Sequence, residues 1–228
     1  MQDPNKSTAR KICAIVGAGP DLGLSLAKRF GQKGFEIVFV TRRPDKRKAY
    51  VAILRDAGLI AHSVPADPVN AESIVQAFDL IKKLGSPEVM IYNATRRGPR
   101  DAPSKLDTRS LIEDYMINVT APLLCAQQVI PDMRARGNGT IFFTAGGYGS
   151  RNELPFTTLA MGKACVRILC NSLNKDLSRY GIHVATVYVR GDMQPGTVAN
   201  DGLQPQKLVK ADRVVITAVN EPALRQFG

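Results

Sequence analysis

The stretch Gly17-Ala18-Gly19-Pro20-Asp21-Leu22-Gly23 constrains this chain more than any other. It follows a short apolar run, residues 11–16, and opens a segment, residues 21–32, in which Leu22, Leu26 and Phe30 recur at helical spacing. A strand that breaks into glycines and then starts a helix makes a phosphate cradle. Gly17 permits the tight turn. Gly19 and Gly23 let backbone approach a pyrophosphate and pack the helix closely. Asp21 and Leu22 stand where the helix N-terminus offers free N–H groups and a partial positive charge. Glycine spacing alone is weak evidence, but after a first strand and before a helix it is specific.

The alternation continues along the chain. Residues 35–41, 59–64, 88–92, 140–144 and 182–189 read as strands. Residues 46–57, 71–84, 106–136 and 158–180 read as helices, the longest bent near Asn118 and Pro122. This order predicts a doubly wound parallel sheet with helices on both faces. A polar tail, residues 1–10, precedes one domain over residues 11–228, with no internal repeat. Residues 192–206 are rich in Pro, Gly and Gln and read as a loop, and residues 214–219 fit either a strand or a short helix. The segment after the sixth strand is short for a substrate-covering region.

Composition narrows the function. The 228 residues suit a single core. No run approaches the ~18 apolar residues of a membrane span, and the polar N-terminus lacks the apolar centre of a secretory signal. Four cysteines and two histidines show no metal-type spacing, so no metal is expected. The cysteines read as free, buried thiols, which with the missing signal points to the cytoplasm. The formal charge of +11 suits either a solvated basic surface or a polyanionic ligand. Neither zinc-finger spacing nor a basic motif interleaved with aromatics is present, so nucleic acid is not favoured as a partner.

The end of the second strand bears on the cofactor. An NAD site puts a carboxylate there for the ribose 2′-hydroxyl, whereas a 2′-phosphate calls for positive charge. Here the residues are Thr41-Arg42-Arg43, with no acid, and Arg42 can fork onto phosphate oxygens. NADP(H) is therefore the expected cofactor. Arginines also follow the later strands: Arg96 and Arg97 after the fourth, Arg151 after the fifth and Arg190 after the sixth. Together they would suit an anionic group on a small-molecule substrate.

The glycine loop, Ala66-Asp67, Asn93-Ala94-Thr95, Asn118 and Lys163 stand in the order found in the short-chain dehydrogenase/reductase family, which the chain resembles over roughly residues 11–190. The resemblance implies a single-domain Rossmann fold and hydride transfer between a nicotinamide and a carbonyl or alcohol. It also implies that Asp67 meets the adenine, that Asn93 and Ala94 lie beside the cofactor, that Lys163 holds ribose hydroxyls and that Asn118 fixes the helix bend through backbone bonds. Such proteins are often dimers or tetramers, so a homodimer or homotetramer is expected. The family's proton donor is a tyrosine four residues before the lysine, and a serine after the fifth strand holds the carbonyl oxygen. Those places are taken by Leu159 and Gly146. A general acid contributes ~10²–10⁴ in rate and one oxyanion donor about 10²–10³. Tyr148, two residues after Gly146, is the first candidate for a substitute acid, with Lys163 and Asn118 completing the catalytic set, and Tyr188 lies near the same edge. Two functions follow: an atypical NADP(H)-dependent oxidoreductase, or an NADP(H)-binding protein without turnover that acts as a sensor or a non-catalytic partner.

Overall fold

The computed structural model describes residues 10–20, 22–146, 156–189 and 214–217. Six parallel strands form its centre: β1 (Ile12–Val16), β2 (Glu36–Thr41), β3 (Ala61–Pro65), β4 (Pro87–Tyr92), β5 (Gly139–Gly146) and β6 (Ile182–Val189). A seventh, β7 (Val214–Thr217), pairs antiparallel with β6, so the undecided C-terminal segment is a strand and the sheet is not wholly parallel. The order across the sheet is β3-β2-β1-β4-β5-β6-β7. Strand order reverses between β1 and β4, which opens a crevice beyond their carboxyl ends.

Both faces of the sheet are covered, and β1 is buried at all five positions. Ile12, Ala14 and Val16 pack toward α3 (Ala71–Leu84), α5 (Ala121–Arg136) and α6 (Thr157–Leu177). Cys13 and Ile15 pack toward α1 (Leu22–Gln32) and α2 (Pro44–Asp56). This follows from the period-2 alternation of strand side chains. Of the four free cysteines, Cys13, Cys125 and Cys170 are buried, but Cys165 on α6 is partly exposed, contrary to the expectation for all four.

Local chemistry sets the helix ends. Asn70 caps α3 by accepting from the Ser73 N–H at 3.1 Å, and the helix closes with Lys82 and Lys83 in its last turn. Asp107 caps α4 (Thr108–Tyr115) by accepting from the Ser110 N–H at 3.0 Å. The long helix expected over 106–136 is two helices, α4 and α5, joined by a π turn at Met116–Thr120. The Ala121 N–H reaches back to the Met116 carbonyl, the wider i→i+5 bond. Pro122 sits in the first turn of α5, and the Ile117 carbonyl five residues before it accepts from the Tyr92 hydroxyl instead. The bend therefore comes from the π turn, with the proline tolerated beside it. Among the described residues no helix is long and apolar enough to cross a membrane.

Candidate active site

The glycine loop and the exit of β4 are built as one piece at the strand-order reversal. Gly17 has φ of +91°, and its N–H donates to the Val40 carbonyl at 2.9 Å. A β-carbon on Gly17 would run into the backbone of Ala94, so both the turn and the packing demand glycine. Asn93 completes the join: its backbone N–H donates to the Val16 carbonyl at 2.7 Å and its side-chain amide to the Gly17 carbonyl at 2.8 Å. A β-carbon on Gly19, by contrast, would meet nothing within 4 Å. The loop thus offers open backbone where a pyrophosphate would lie, at the N-terminus of α1. Asp21 falls outside the described residues, and Leu22 is buried as the first residue of α1.

The adenosine end is basic. Thr41 closes β2 and accepts from the Arg43 N–H at 3.3 Å, while Arg42 and Arg43 are exposed. The next strand is tied in by the Ala66 N–H, which donates to the Thr41 carbonyl at 3.0 Å. The Asp67 carboxylate accepts from the Val69 N–H at 3.2 Å, which shapes the turn into α3.

The opposite end of the crevice is framed by the π turn and α6. Asn118 is 2% exposed. Its side-chain oxygen accepts from the Thr95 hydroxyl at 3.1 Å and the Arg96 N–H at 3.0 Å, and its NH₂ donates to the Arg96 carbonyl at 2.9 Å. Asn118 therefore clamps the loop after β4, not the helix bend assigned to it from sequence. Gly162 lets α6 rest on this residue, since a β-carbon there would lie 2.6 Å from the Asn118 Cβ. Lys163, the next residue, donates from Nζ to the Thr144 carbonyl of β5 at 2.8 Å. Its ammonium is partly buried, and that desolvation pushes its pKa down from 10.5 to about 8. Leu159, one turn earlier on α6, is 4% exposed and has no proton to give.

Arg96 corrects a second expectation. It does not reach for an anionic ligand. Its guanidinium pairs with the buried carboxylate of Asp114 and with Glu113 at 3.0 Å, and it also donates to the Ser110 carbonyl at 3.3 Å. The other Asp114 oxygen and the Thr158 hydroxyl are buried without a hydrogen-bond partner, and Gly98 is packed against both. Arg97 is exposed, while Arg151, Arg190 and Tyr148 lie outside the described residues. The Gly146 backbone pairs with Val189 at the end of β5. Tyr92 is a further phenol at the end of β4. It is 3% exposed and donates to the Ile117 carbonyl at 2.6 Å. Burial, with Cys125 beside it, pushes its pKa well up, so it is a brace for the π turn and no acid. Sequence reasoning missed Tyr92, Gly162 and Asp114. Asp114 had a signal: four residues before Asn118, it shares the same helix face.

The profile of the short chain dehydrogenase family matches residues 11–204. The chain belongs to that family. A curated relative, the 2,5-dichloro-2,5-cyclohexadiene-1,4-diol dehydrogenase LinX of Sphingobium indicum, is 27% identical over 203 residues, which is 84% of this chain and 76% of the relative. The fold matches NAD+-bound xylitol dehydrogenase with a TM-score of 0.75 at 22% identity, covering 81% of this chain and 72% of the other. It also matches a single-residue variant of actinorhodin polyketide ketoreductase with NADPH, with a TM-score of 0.73 at 24% identity and coverage of 78% and 69%. The family is one of oxidoreductases acting on alcohol and carbonyl groups, and the solved relatives carry NAD+ in one case and NADPH in the other.

Proposed function

We propose that this protein is a cytoplasmic, NADP(H)-dependent oxidoreductase that interconverts a carbonyl and an alcohol with a proton donor other than the family's tyrosine. The observation that carries the cofactor reading is the end of β2. Thr41, Arg42 and Arg43 follow the strand with no carboxylate among them, beside a glycine loop whose backbone is open at Gly19. Exposed guanidinium groups there match a 2′-phosphate and give an unphosphorylated ribose nothing comparable. Gly17, Gly19, Asp21, Leu22 and Gly23 would hold the pyrophosphate, Asp67 the adenine side, and Asn93, Ala94 and Lys163 the nicotinamide half. When bound, the nicotinamide supplies or accepts the hydride. Asn118 keeps the β4 exit loop in place, and Lys163 orients the ribose.

Calorimetry with NADPH and NADH tests this reading. NADPH should bind more tightly, and Arg42→Ala should weaken NADPH by about tenfold or more with little effect on NADH, as expected for hydrogen bonds to a charged group worth about 1.5–3 kcal/mol. Equal wild-type affinity for the two cofactors would refute it.

A second reading is favoured by one observation: Leu159 fills the place of the family's phenol and is buried there. In that reading the protein binds NADP(H) without turnover, as a sensor or partner. Apolar side chains exposed on α4 and α6, Ile112 at 63%, Tyr115 at 50%, Met161 at 47% and Ile168 at 61%, support a homodimer or homotetramer in either case. With Arg96 committed to Asp114, recognition of an anionic substrate group would fall to Arg97, Arg151 and Arg190.

A further inference from the structure

We propose that the Lys163 ammonium is itself the acid that protonates the substrate oxygen, a task that in this chain cannot fall to a side chain at position 159. The inference rests on the oxidoreductase reading above and names the proton source that reading leaves open.

Three features of the site support it. First, the partner of Nζ is the Thr144 backbone carbonyl at 2.8 Å, and among the described residues Lys163 has no carboxylate partner. A carboxylate would hold the proton on the amine. A carbonyl accepts more weakly from a neutral amine than from an ammonium, but it bears no full charge to hold the proton as a carboxylate would. Second, a partly buried ammonium with no counter-charge among the described residues is disfavoured relative to the neutral amine, which makes it a better acid. Its pKa of about 8 lies near the pH at which a general acid works best. Third, Leu159 lies on the same helix face one turn before it, an apolar neighbour that neither competes for the proton nor restores solvation.

Among the described side chains, no charged group is paired with Lys163. On α4, Asp114 is paired with Arg96, and Glu113 pairs with the same guanidinium. Tyr115 on α4 is exposed. The π turn and β5 contain no ionisable side chain. On β6, His183 pairs in register with Thr140 at the far end of the strand and meets Phe142 edge-on. Arg167 on α6 itself is exposed.

In reduction, a bound reduced nicotinamide would supply the hydride for the new C–H bond, and the carbonyl π electrons would pass to oxygen. The oxygen takes a proton from the Lys163 ammonium, leaving a neutral amine that is reprotonated by water. The carbonyl is reduced to the alcohol and the nicotinamide is oxidised. In the reverse direction the neutral amine accepts the alcohol proton.

Lys163→Arg keeps the positive charge and the donors but does not release a proton at neutral pH. Carbonyl reduction at saturating NADPH should fall about 100-fold or more, well beyond any accompanying loss of NADPH affinity, which calorimetry measures separately. Nitrogen-detected NMR of the wild-type ε-amine should give a midpoint near 8, and Leu159→Glu should raise it. Turnover that survives in Lys163→Arg, or an amine that titrates at its ordinary value, overturns the assignment, as does loss of turnover in Tyr148→Phe alone. Should the arginine variant fail to hold NADPH, the wild-type pH profile decides. A reduction rate that falls as the amine loses its proton supports Lys163, and a flat rate overturns it. A wild type that binds NADPH but reduces no carbonyl overturns the oxidoreductase reading and the Lys163 assignment with it.

Discussion

The two ends of the crevice are constrained in different ways. At the phosphate end, Gly17, Ala94 and Asn93 interlock so tightly that no larger residue fits at position 17. At the substrate end the framework is just as firm, with Asn118 held by Thr95 and Arg96 and α6 seated on it through Gly162. Yet in the function proposed here the positions taken to face the chemistry, 159 and 146, carry no polar side chain. The difference teaches that holding a cofactor and reacting with it are separable demands. The first is written into backbone packing, the second into a few side chains that packing does not protect.

The sharpest way to break this comparison is Gly17→Val. The added carbons enter the space of the Ala94 backbone at a φ that β-branched residues avoid. We expect a stability loss of about 3 kcal/mol or more, read by urea unfolding, and at least ~100-fold weaker NADPH binding by calorimetry. A variant that folds and binds like the wild type would show that the join is slack.

The complementary test restores the missing polar groups. Leu159→Tyr with Gly146→Ser places a phenol one turn before Lys163 and a hydroxyl at the end of β5. Reduction of an activated carbonyl with NADPH, followed by cofactor absorbance, should rise about tenfold or more, a fraction of what a general acid can contribute. A double variant that folds, binds NADPH and stays no faster than wild type would show that divergence reaches beyond these two side chains.

A smaller effect separates stability from function at Lys163. Its folded pKa of about 8 lies below the ordinary 10.5 because burial penalises the charge. Below about pH 8 the folded protein bears that penalty in full. As pH rises from about 8 to about 10.5 the unfolded chain holds more protons, so the penalty is relieved and stability increases. Lys163→Met should therefore raise stability by about 2 kcal/mol at pH 7, with the advantage fading above about pH 10, while weakening NADPH binding. Thermal unfolding across pH checks both the sign and the window. A gain that does not depend on pH would mean that packing, not charge, explains it.

Much of this architecture can be read from the sequence because its signals are local. The apolar run ending in Gly17 and the helical spacing of Leu22, Leu26 and Phe30 each report on neighbours a few residues apart, and the strand and helix assignments from 11 to 189 hold to within a few residues. The 214–219 segment is ambiguous in sequence because a run this short fits either period. Only its pairing with β6 settles it as a strand. The site divides in the same way. Asn93 follows β4 directly and Lys163 lies on α6, placements that the local strand and helix pattern gives. The commitment of Arg96 to Asp114 depends on two segments meeting in space, and no spacing rule links residues in a loop and a helix 18 positions apart. The reading of Arg96 as a ligand group fails for that reason.

The π turn at Met116–Thr120 carries an implication for how such a site can be lost. It holds one more residue than the same length of regular helix would need. Deleting a single residue there would bring α4 and α5 into one α-helical register, broken only at Pro122, which has no N–H to give. It would also rotate everything upstream by about 100° and carry Asp114 away from Arg96. The more regular helix would be the ruined one, so the length of this stretch matters to the site alongside the identity of Asn118.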